Sequence, residues 1–127
     1  IYYSPLFFYI KAMSNLLSPD QYNLTNYNPL RDILNELIDF EELRKTNHIK
    51  LFVNATSAST GKIKIFFSDE LTVDMLLASA CLPAYNRSIR IENDFYWDGG
   101  FSGNPAIYPL SYKCNTKDVM IVQINPL

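Results

Sequence analysis

The residues with the clearest potential for chemistry lie in one stretch, 95–105, which reads Phe-Tyr-Trp-Asp-Gly-Gly-Phe-Ser-Gly-Asn-Pro. It places one carboxylate, Asp98, between a run of aromatic residues and the pair Gly99 and Gly100. A carboxylate beside apolar rings loses solvation, so it becomes a better proton acceptor near neutral pH. Two glycines after it let another backbone or a substrate approach closely. The pattern is typical of a catalytic acid or base, and also of an ordinary Asp-Gly turn, which is a common dipeptide.

Length and composition limit the kind of fold that can position this stretch. The chain has 127 residues, which is enough for one domain with a buried core and no more. It is 48% hydrophobic and 19% charged, with a formal net charge of −2. This balance is ordinary for a globular protein and gives no electrostatic reason to expect a nucleic-acid partner.

Metal and cofactor sites are not indicated by the residue types present. The sequence has one histidine, His48, and two cysteines, Cys81 and Cys114, with no Cys-x-x-Cys pair and no histidine cluster. We therefore expect no metal and no cofactor. His48 lies in a polar stretch and is expected to be a solvated loop residue, while Cys81 is expected to be a small buried residue.

The sequence begins at Ile1 rather than at methionine, so any targeting segment would precede it. Residues 1–10 are apolar but are interrupted by Pro5, and the run is too short to span a bilayer. We expect this run to be a loop or helix that covers a core. A peripheral contact with a membrane surface is the alternative interpretation.

Helix signals occur at several places. Asn28 followed by Pro29 predicts a helix start, and apolar residues at helical spacing follow it. Asp39 with Glu42 forms a capping-box pattern for a short helix through residue 44. Further helices are predicted over residues 6–17, from an N-cap at Thr72 to about residue 81, and from the Asn104-Pro105 pair to about residue 110.

Strand signals alternate with these helices. Apolar or alternating runs predict strands at 49–55, 62–67, 88–92, 95–97 and 119–124. Asn93 and Asp94 are the predicted turn of a hairpin over 88–98, which places Asp98 where a strand leaves the sheet. We therefore predict an α/β fold, with a helix-covered sheet and one antiparallel hairpin, in which ligands bind at strand ends.

An ordered set of motifs begins at residue 28 and ends at residue 100. In chain order the set comprises Asn28-Pro29-Leu30-Arg31-Asp32-Ile33-Leu34, Val53-Asn54-Ala55-Thr56, Thr60-Gly61-Lys62, Leu77-Ala78-Ser79-Ala80-Cys81-Leu82-Pro83 and Tyr96-Trp97-Asp98-Gly99-Gly100. Each motif is weak by itself, but the ordered set is specific. Together they resemble the bacterial patatin-like phospholipases, and the likeness extends over most of the chain, from about residue 28 to residue 125.

This resemblance implies a three-layer α/β/α fold and a lipid acyl hydrolase that needs no cofactor. Its substrate would be a phospholipid or another acyl ester. Catalysis would use a Ser–Asp dyad without histidine, with the serine in a Gly-x-Ser-x-Gly elbow and a Gly-rich loop as oxyanion hole. Asp98 matches the aspartate of the family's Asp-Gly-Gly motif, with Gly99, Gly100 and Asn104 as its supporting loop. Asn104 is equally well explained as the N-cap of the next helix.

The serine half of the dyad is missing from these residues. No Gly-x-Ser-x-Gly is present, and Ser102 follows Asp98 too closely to be its partner. By the family pattern, the nucleophile and the oxyanion hole would precede Ile1. We therefore expect residues 1–127 to be the C-terminal part of one patatin-like domain and to hydrolyse no ester alone.

A second hypothesis is a truncated or degenerate relative that binds lipid or protein, or has no activity.

Other residues have structural rather than catalytic interpretations. Ser79 is expected to pack in the core, and Asp94 is expected to serve a turn rather than form a carboxylate pair with Asp98. Exposed basic residues are expected on solvated strand faces rather than at lipid head groups, namely Lys50, Lys62, Lys64, Arg87 and Arg90.

Overall fold

The computed structural model describes residues 12, 28–46, 48–83, 86–103, 106–115 and 117–122. The predicted helix over 6–17, apart from residue 12, and the opening apolar run lie outside the described residues. The order of elements is α1 (Pro29–Leu37), α2 (Phe40–Lys45), β1 (Phe52–Ser57), β2 (Ile63–Phe67), α3 (Val73–Ser79), β3 (Ile89–Ile91), β4 (Asp94–Asp98), a 3-10 turn (Gly99–Phe101) and α4 (Tyr108–Lys113).

The four strands form one sheet in the order β2-β1-β4-β3, and all three pairings are antiparallel. This confirms an α/β fold with the predicted hairpin, β3 with β4. The hairpin turn was predicted one residue too late, since it consists of Glu92 and Asn93, with Glu92 at φ 53°. Asp94 instead pairs with Ile91 as the first residue of β4, where its carboxylate accepts a hydrogen bond from Ser57.

The predicted helix starts are set by local capping. The side chain of Asn28 accepts a hydrogen bond from the Leu30 amide, and that of Asp39 accepts from two amides of α2. Thr72 caps α3 in the same way, through the Met75 amide. These bonds satisfy amides that have no partner within the helix, which is why the caps predicted from sequence are confirmed.

Helix α3 packs on the sheet and forms the core with it. The buried cluster consists of Ala55, Phe66, Leu71 and Ala78, from β1, β2, the following loop and α3. Helix α1 contacts α3, and Arg31 forms an ion pair with Asp74. Burial of the core side chains stabilises this arrangement by about 1.5–3 kcal/mol for each large apolar residue.

The apolar face predicted for α1 consists of Leu30, Ile33, Leu34, Leu37 and Ile38, and the structure buries it only in part, since Leu34 and Ile38 are half-buried. Leu30, Ile33 and Leu37 are 40%, 50% and 76% exposed. Among the described elements, α3 makes the most contacts with α1, and it leaves these three side chains exposed. Periodicity therefore predicted the helix correctly but not its burial.

Two predictions near the end of the chain were wrong. Helix α4 begins at Tyr108, with Ile107 as its N-cap and Pro109 in its first turn, and not at the start predicted from the Asn104-Pro105 pair. Residues 119–122 form no strand, and Met120 and Val122 are 89% and 80% exposed. A strand needs a partner for its backbone groups, and no described strand pairs with this segment.

Candidate active site

Asp98 is the last residue of β4 and caps the 3-10 turn that follows. Its Oδ1 accepts a hydrogen bond from the Gly100 amide at 2.7 Å. The side chain is half-buried. Among the described residues, the Gly100 amide is the one donor that bonds its carboxylate. The position at the end of a strand agrees with the sequence prediction and leaves Oδ2 available to another group.

The backbone of Asp98 is held from two sides. Its amide donates to the carbonyl oxygen of Cys81 at 2.8 Å, just beyond the end of α3. Its own carbonyl oxygen accepts from the Thr56 Oγ1 hydroxyl at 2.9 Å, and Thr56 lies on the neighbouring strand β1. These two bonds fix the main chain that carries the carboxylate, and the bond from the Gly100 amide holds the carboxylate itself.

Ser102 contributes to the same arrangement through Thr56. Its Oγ lies 2.7 Å from Thr56 Oγ1. A hydroxyl has one proton, and Thr56 donates its proton in the hydrogen bond to the Asp98 carbonyl oxygen. Ser102 is therefore the donor in the Ser102–Thr56 pair. Ser102 therefore bonds a hydroxyl and not the Asp98 carboxylate, and the geometry gives no support for a Ser102–Asp98 dyad.

Gly99 makes the close approach that the sequence suggested. It is buried against Asn54 of β1, and a Cβ at this position would collide with both the backbone oxygen and the side chain of Asn54. Asn54 Nδ2 also donates to the Gly103 carbonyl at 2.7 Å. The loop after Asp98 is thus clamped onto β1 at two points, which only a glycine at position 99 permits.

Sequence reasoning missed the roles of Asn54, Thr56 and Ser102. Asn54 and Thr56 belong to one of the motifs that carry the family resemblance, yet they lie more than forty residues before Asp98 and nothing local connects them to it. The presence of Asn54 and Thr56 in that ordered set is the sequence signal that could have identified them.

The predicted aromatic wall around Asp98 was partly wrong. Side chains alternate across a strand, so Tyr96 lies on the same face as Asp98, whereas Phe95 and Trp97 lie on the other. Tyr96 packs edge-on against Phe66, with ring centroids 5.7 Å apart. Burial, with the nearby Asp94 carboxylate, raises the pKa of Tyr96. One aromatic ring, rather than three, therefore flanks Asp98 on its own face.

Cys81 is a buried neighbour of Asp98, as expected for a small core residue. It is 2% exposed, and its Sγ donates to the Arg87 carbonyl oxygen at 2.9 Å. Burial, and secondarily the negative charge of Asp98, raises its pKa to about 11. The thiol is therefore protonated near neutral pH and is not a nucleophile.

Asp94 and Asp98 do not form a carboxylate pair. They lie at opposite ends of β4, about 13 Å apart at the usual rise per residue. That separation exceeds the range of about 5–9.5 Å that glycoside hydrolysis requires. Asp94 Oδ2 accepts from Ser57 Oγ at 2.6 Å, and this bond lowers the pKa of Asp94.

The remaining candidates are separate from Asp98 or outside the described residues. His48 is exposed, and Ser79 Oγ donates to the Leu76 carbonyl of its own helix at 2.7 Å. Cys114 is half-buried, and Asn104 lies outside the described residues. The described residues hold no group of three or more His, Cys, Asp or Glu side chains that could bind a metal ion.

Within the described part of the chain, none of the helices has the length and apolarity needed to cross a membrane. The opening run 1–10, for which a peripheral membrane contact was the alternative interpretation, lies outside that part.

Comparison with known proteins gives one match. A family model described as Patatin-like phospholipase matches residues 6–110, a range that includes α1 to β4, the loop after Asp98 and the start of α4. No curated protein and no solved structure matches the chain.

Proposed function

The chain belongs to the patatin-like phospholipase family, a family of lipid acyl hydrolases, and we propose that Asp98 is the carboxylate of its Ser–Asp dyad. The substrate would be a phospholipid or another acyl ester. Gly99 and Gly100 would form the supporting loop, and Asn104 would belong to the same loop.

The observation that supports this proposal best is how Asp98 is held. Its main chain is bonded to Cys81 and to Thr56, and one carboxylate oxygen accepts from the Gly100 amide. The second oxygen has no partner among the described residues. A fixed carboxylate with one oxygen available is the arrangement that a general base requires.

Each half of the reaction then needs one proton transfer to Asp98 and one proton transfer from it. A serine hydroxyl attacks the ester carbonyl while Asp98 takes its proton, and the C–O bond to the leaving alcohol breaks as the proton passes to that alcohol. In the second half, water attacks the acyl-serine and gives its proton to Asp98, the bond between the acyl carbon and the serine oxygen breaks, and Asp98 returns the proton to the serine. No metal or histidine is needed in these steps.

The serine and the oxyanion hole would come from outside these 127 residues. The described hydrogen bonds place no serine or threonine hydroxyl on the Asp98 carboxylate, and the sequence has no Gly-x-Ser-x-Gly. We propose that a Gly-rich loop and a Gly-x-Ser-x-Gly elbow in the same polypeptide supply both groups. The 127 residues alone would then hydrolyse no ester.

The decisive experiment is p-nitrophenyl ester turnover by the polypeptide encoded in frame with this sequence. Asp98→Asn should lower turnover by about 10²–10⁴-fold, because the amide keeps the bond to Gly100 but cannot accept a proton. Asp94→Asn, the matched change on the same strand, should leave turnover unchanged.

Two results would overturn the proposal. One is ester hydrolysis by residues 1–127 that survives Asp98→Ala, which would show catalysis independent of this carboxylate. The other is an encoded polypeptide without an elbow, or one whose turnover Asp98→Asn leaves intact, which would favour a non-catalytic relative that binds lipid or protein.

A further inference from the structure

A cavity of about 300 Å³ lies between the end of α2, the start of β1 and the end of β2. Three of the residues that line it are cations, Arg44, Lys50 and Lys113, and one is an anion, Asp69. The lining therefore carries a net charge of +2, from three positive charges less one, on a chain whose net charge is −2. Neither the cavity nor its lining includes Asp98.

One wall of this cationic cavity is aromatic. Phe52 and Phe67 are register partners on β1 and β2, and their rings meet edge-to-face with centroids 5.7 Å apart. The Lys113 ammonium lies 5.5 Å from the centroid of the Phe67 ring. An aromatic face holds a cation in place and offers an apolar surface beside it.

Two of the three cavity cations, Arg44 and Lys50, are positioned by backbone carbonyls. Arg44 Nη1 donates to the Leu71 carbonyl at 2.9 Å, and Lys50 Nζ donates to the Lys113 carbonyl at 2.5 Å. The ion pairs among the described residues are Arg31–Asp74 and Lys45–Glu41, so none of the three cavity cations takes part in one. No ion pair given for the described part of the chain therefore neutralises their positive charge.

We propose that the cationic cavity binds a phosphate-bearing anion. Guanidinium and ammonium groups recognise phosphate oxygens through charge-assisted hydrogen bonds. The volume matches the lower end of the range for small-molecule sites, and the aromatic wall suits the organic part of a phosphate ester. The phosphate is either a lipid head group or that of a soluble ester, and these two sources are separable by experiment.

This site does not depend on the Ser–Asp proposal. Phe52 precedes Ala55, the register partner of Asp98, by three residues, which is about 10 Å along β1. A head group bound in the cavity is thus compatible with an ester bond near Asp98. Phosphate binding to the cavity can nevertheless be measured without any ester hydrolysis. Loss of hydrolysis and loss of binding are therefore distinguishable.

The test compares two double variants of the purified protein. K50Q/K113Q removes two cavity cations, and K62Q/K64Q removes two lysines outside the cavity, where Lys64 likewise lies over a phenylalanine ring. Binding of inorganic phosphate is measured by titration calorimetry. Co-sedimentation is measured with phosphatidylcholine vesicles, with and without phosphatidic acid.

We expect K50Q/K113Q to weaken binding at least about tenfold and K62Q/K64Q to leave it near the wild-type value. If K50Q/K113Q weakens binding to phosphatidic acid vesicles but not to inorganic phosphate, the ligand is a lipid head group. If K50Q/K113Q weakens binding of inorganic phosphate, the ligand is a soluble phosphate. Failure of the wild type to bind either probe, or equal loss in both variants, overturns the proposal.

Two single variants keep the test valid if K50Q/K113Q does not fold. The Lys113 side chain is exposed, so Lys113→Gln should retain the wild-type melting temperature and still weaken binding. Asp69→Asn removes the one cavity carboxylate and should strengthen phosphate binding, since a like charge opposes the anion. Unchanged binding in both variants contradicts the proposal.

Discussion

The Asp98 amide donates a hydrogen bond to the carbonyl oxygen of Cys81, at 2.8 Å, and the two side chains interact electrostatically. The bond connects the end of β4 to the residues after α3. A catalytic carboxylate candidate and a buried thiol are thereby neighbours, although they are seventeen positions apart in the sequence. The thiol therefore reports on the charge of Asp98.

Cys81 should react slowly with a thiol reagent in the native protein. With a pKa of about 11, only about one thiol in a thousand is ionised at pH 8, and the residue is buried. Cys114, which is more exposed, should react first. In a Cys114→Ser variant, Asp98→Asn should lower the pKa of Cys81 and speed its labelling, because a negative charge is removed. An unchanged labelling rate would show that the Asp98 charge does not act on the Cys81 thiol.

Gly99→Ala should destabilise the protein by about 1–3 kcal/mol, because the added Cβ collides with the backbone of Asn54. Gly103→Ala is the matched control, since its Cβ meets only the tip of the Ile63 side chain, at 2.9 Å. Urea unfolding of both variants measures the difference. Equal loss of stability in the two would show that Gly99 is not the clamped position.

Thr56→Val should cost about 1–3 kcal/mol of folding stability, because it leaves the Asp98 carbonyl without its hydroxyl donor while keeping the side-chain shape. Ser102→Ala removes only the outer bond of this chain and should cost about 0.5–1.5 kcal/mol. A double-mutant cycle checks the coupling. Strict additivity would indicate that the two hydroxyls act independently.

Asp94 should make folding stability sensitive to acid. Its pKa in the folded protein lies below the ordinary value of 3.8, chiefly because Ser57 donates a hydrogen bond to the carboxylate. A lowered folded-state pKa stabilises the protein above the unfolded-state pKa, and this contribution is lost as the pH falls through the folded value. Urea unfolding between about pH 2 and pH 7 should show a smaller loss for Asp94→Asn than for wild type. Parallel curves would contradict this assignment.

The open apolar face of α1 should bind the dye ANS. Ile33 and Leu37 are half or more exposed on this face. Ile33→Glu with Leu37→Glu should therefore reduce ANS fluorescence without lowering the melting temperature, because no described core contact is lost. A large loss of stability would instead show that this face is packed in solution.

The sequence by itself determined the features that depend on neighbouring residues. The caps Asn28, Asp39 and Thr72 act within one helical turn, so their amides find the side chain wherever the helix lies. The hairpin that ends at Asp98 is likewise local, and its predicted turn was displaced by only one residue. The ordered motifs also predicted the family, which the match over residues 6–110 confirms.

Only the tertiary structure decided what surrounds Asp98. The central pairing of β1 with β4 brings Asn54 and Thr56 beside residues more than forty positions away, and no local pattern encodes such a pairing. The pleat then moves Phe95 and Trp97 to the opposite face from Asp98. The order of the strands, and the sheet face on which each side chain lies, depend on how all elements bury their apolar surfaces together. Short-range propensity does not specify this.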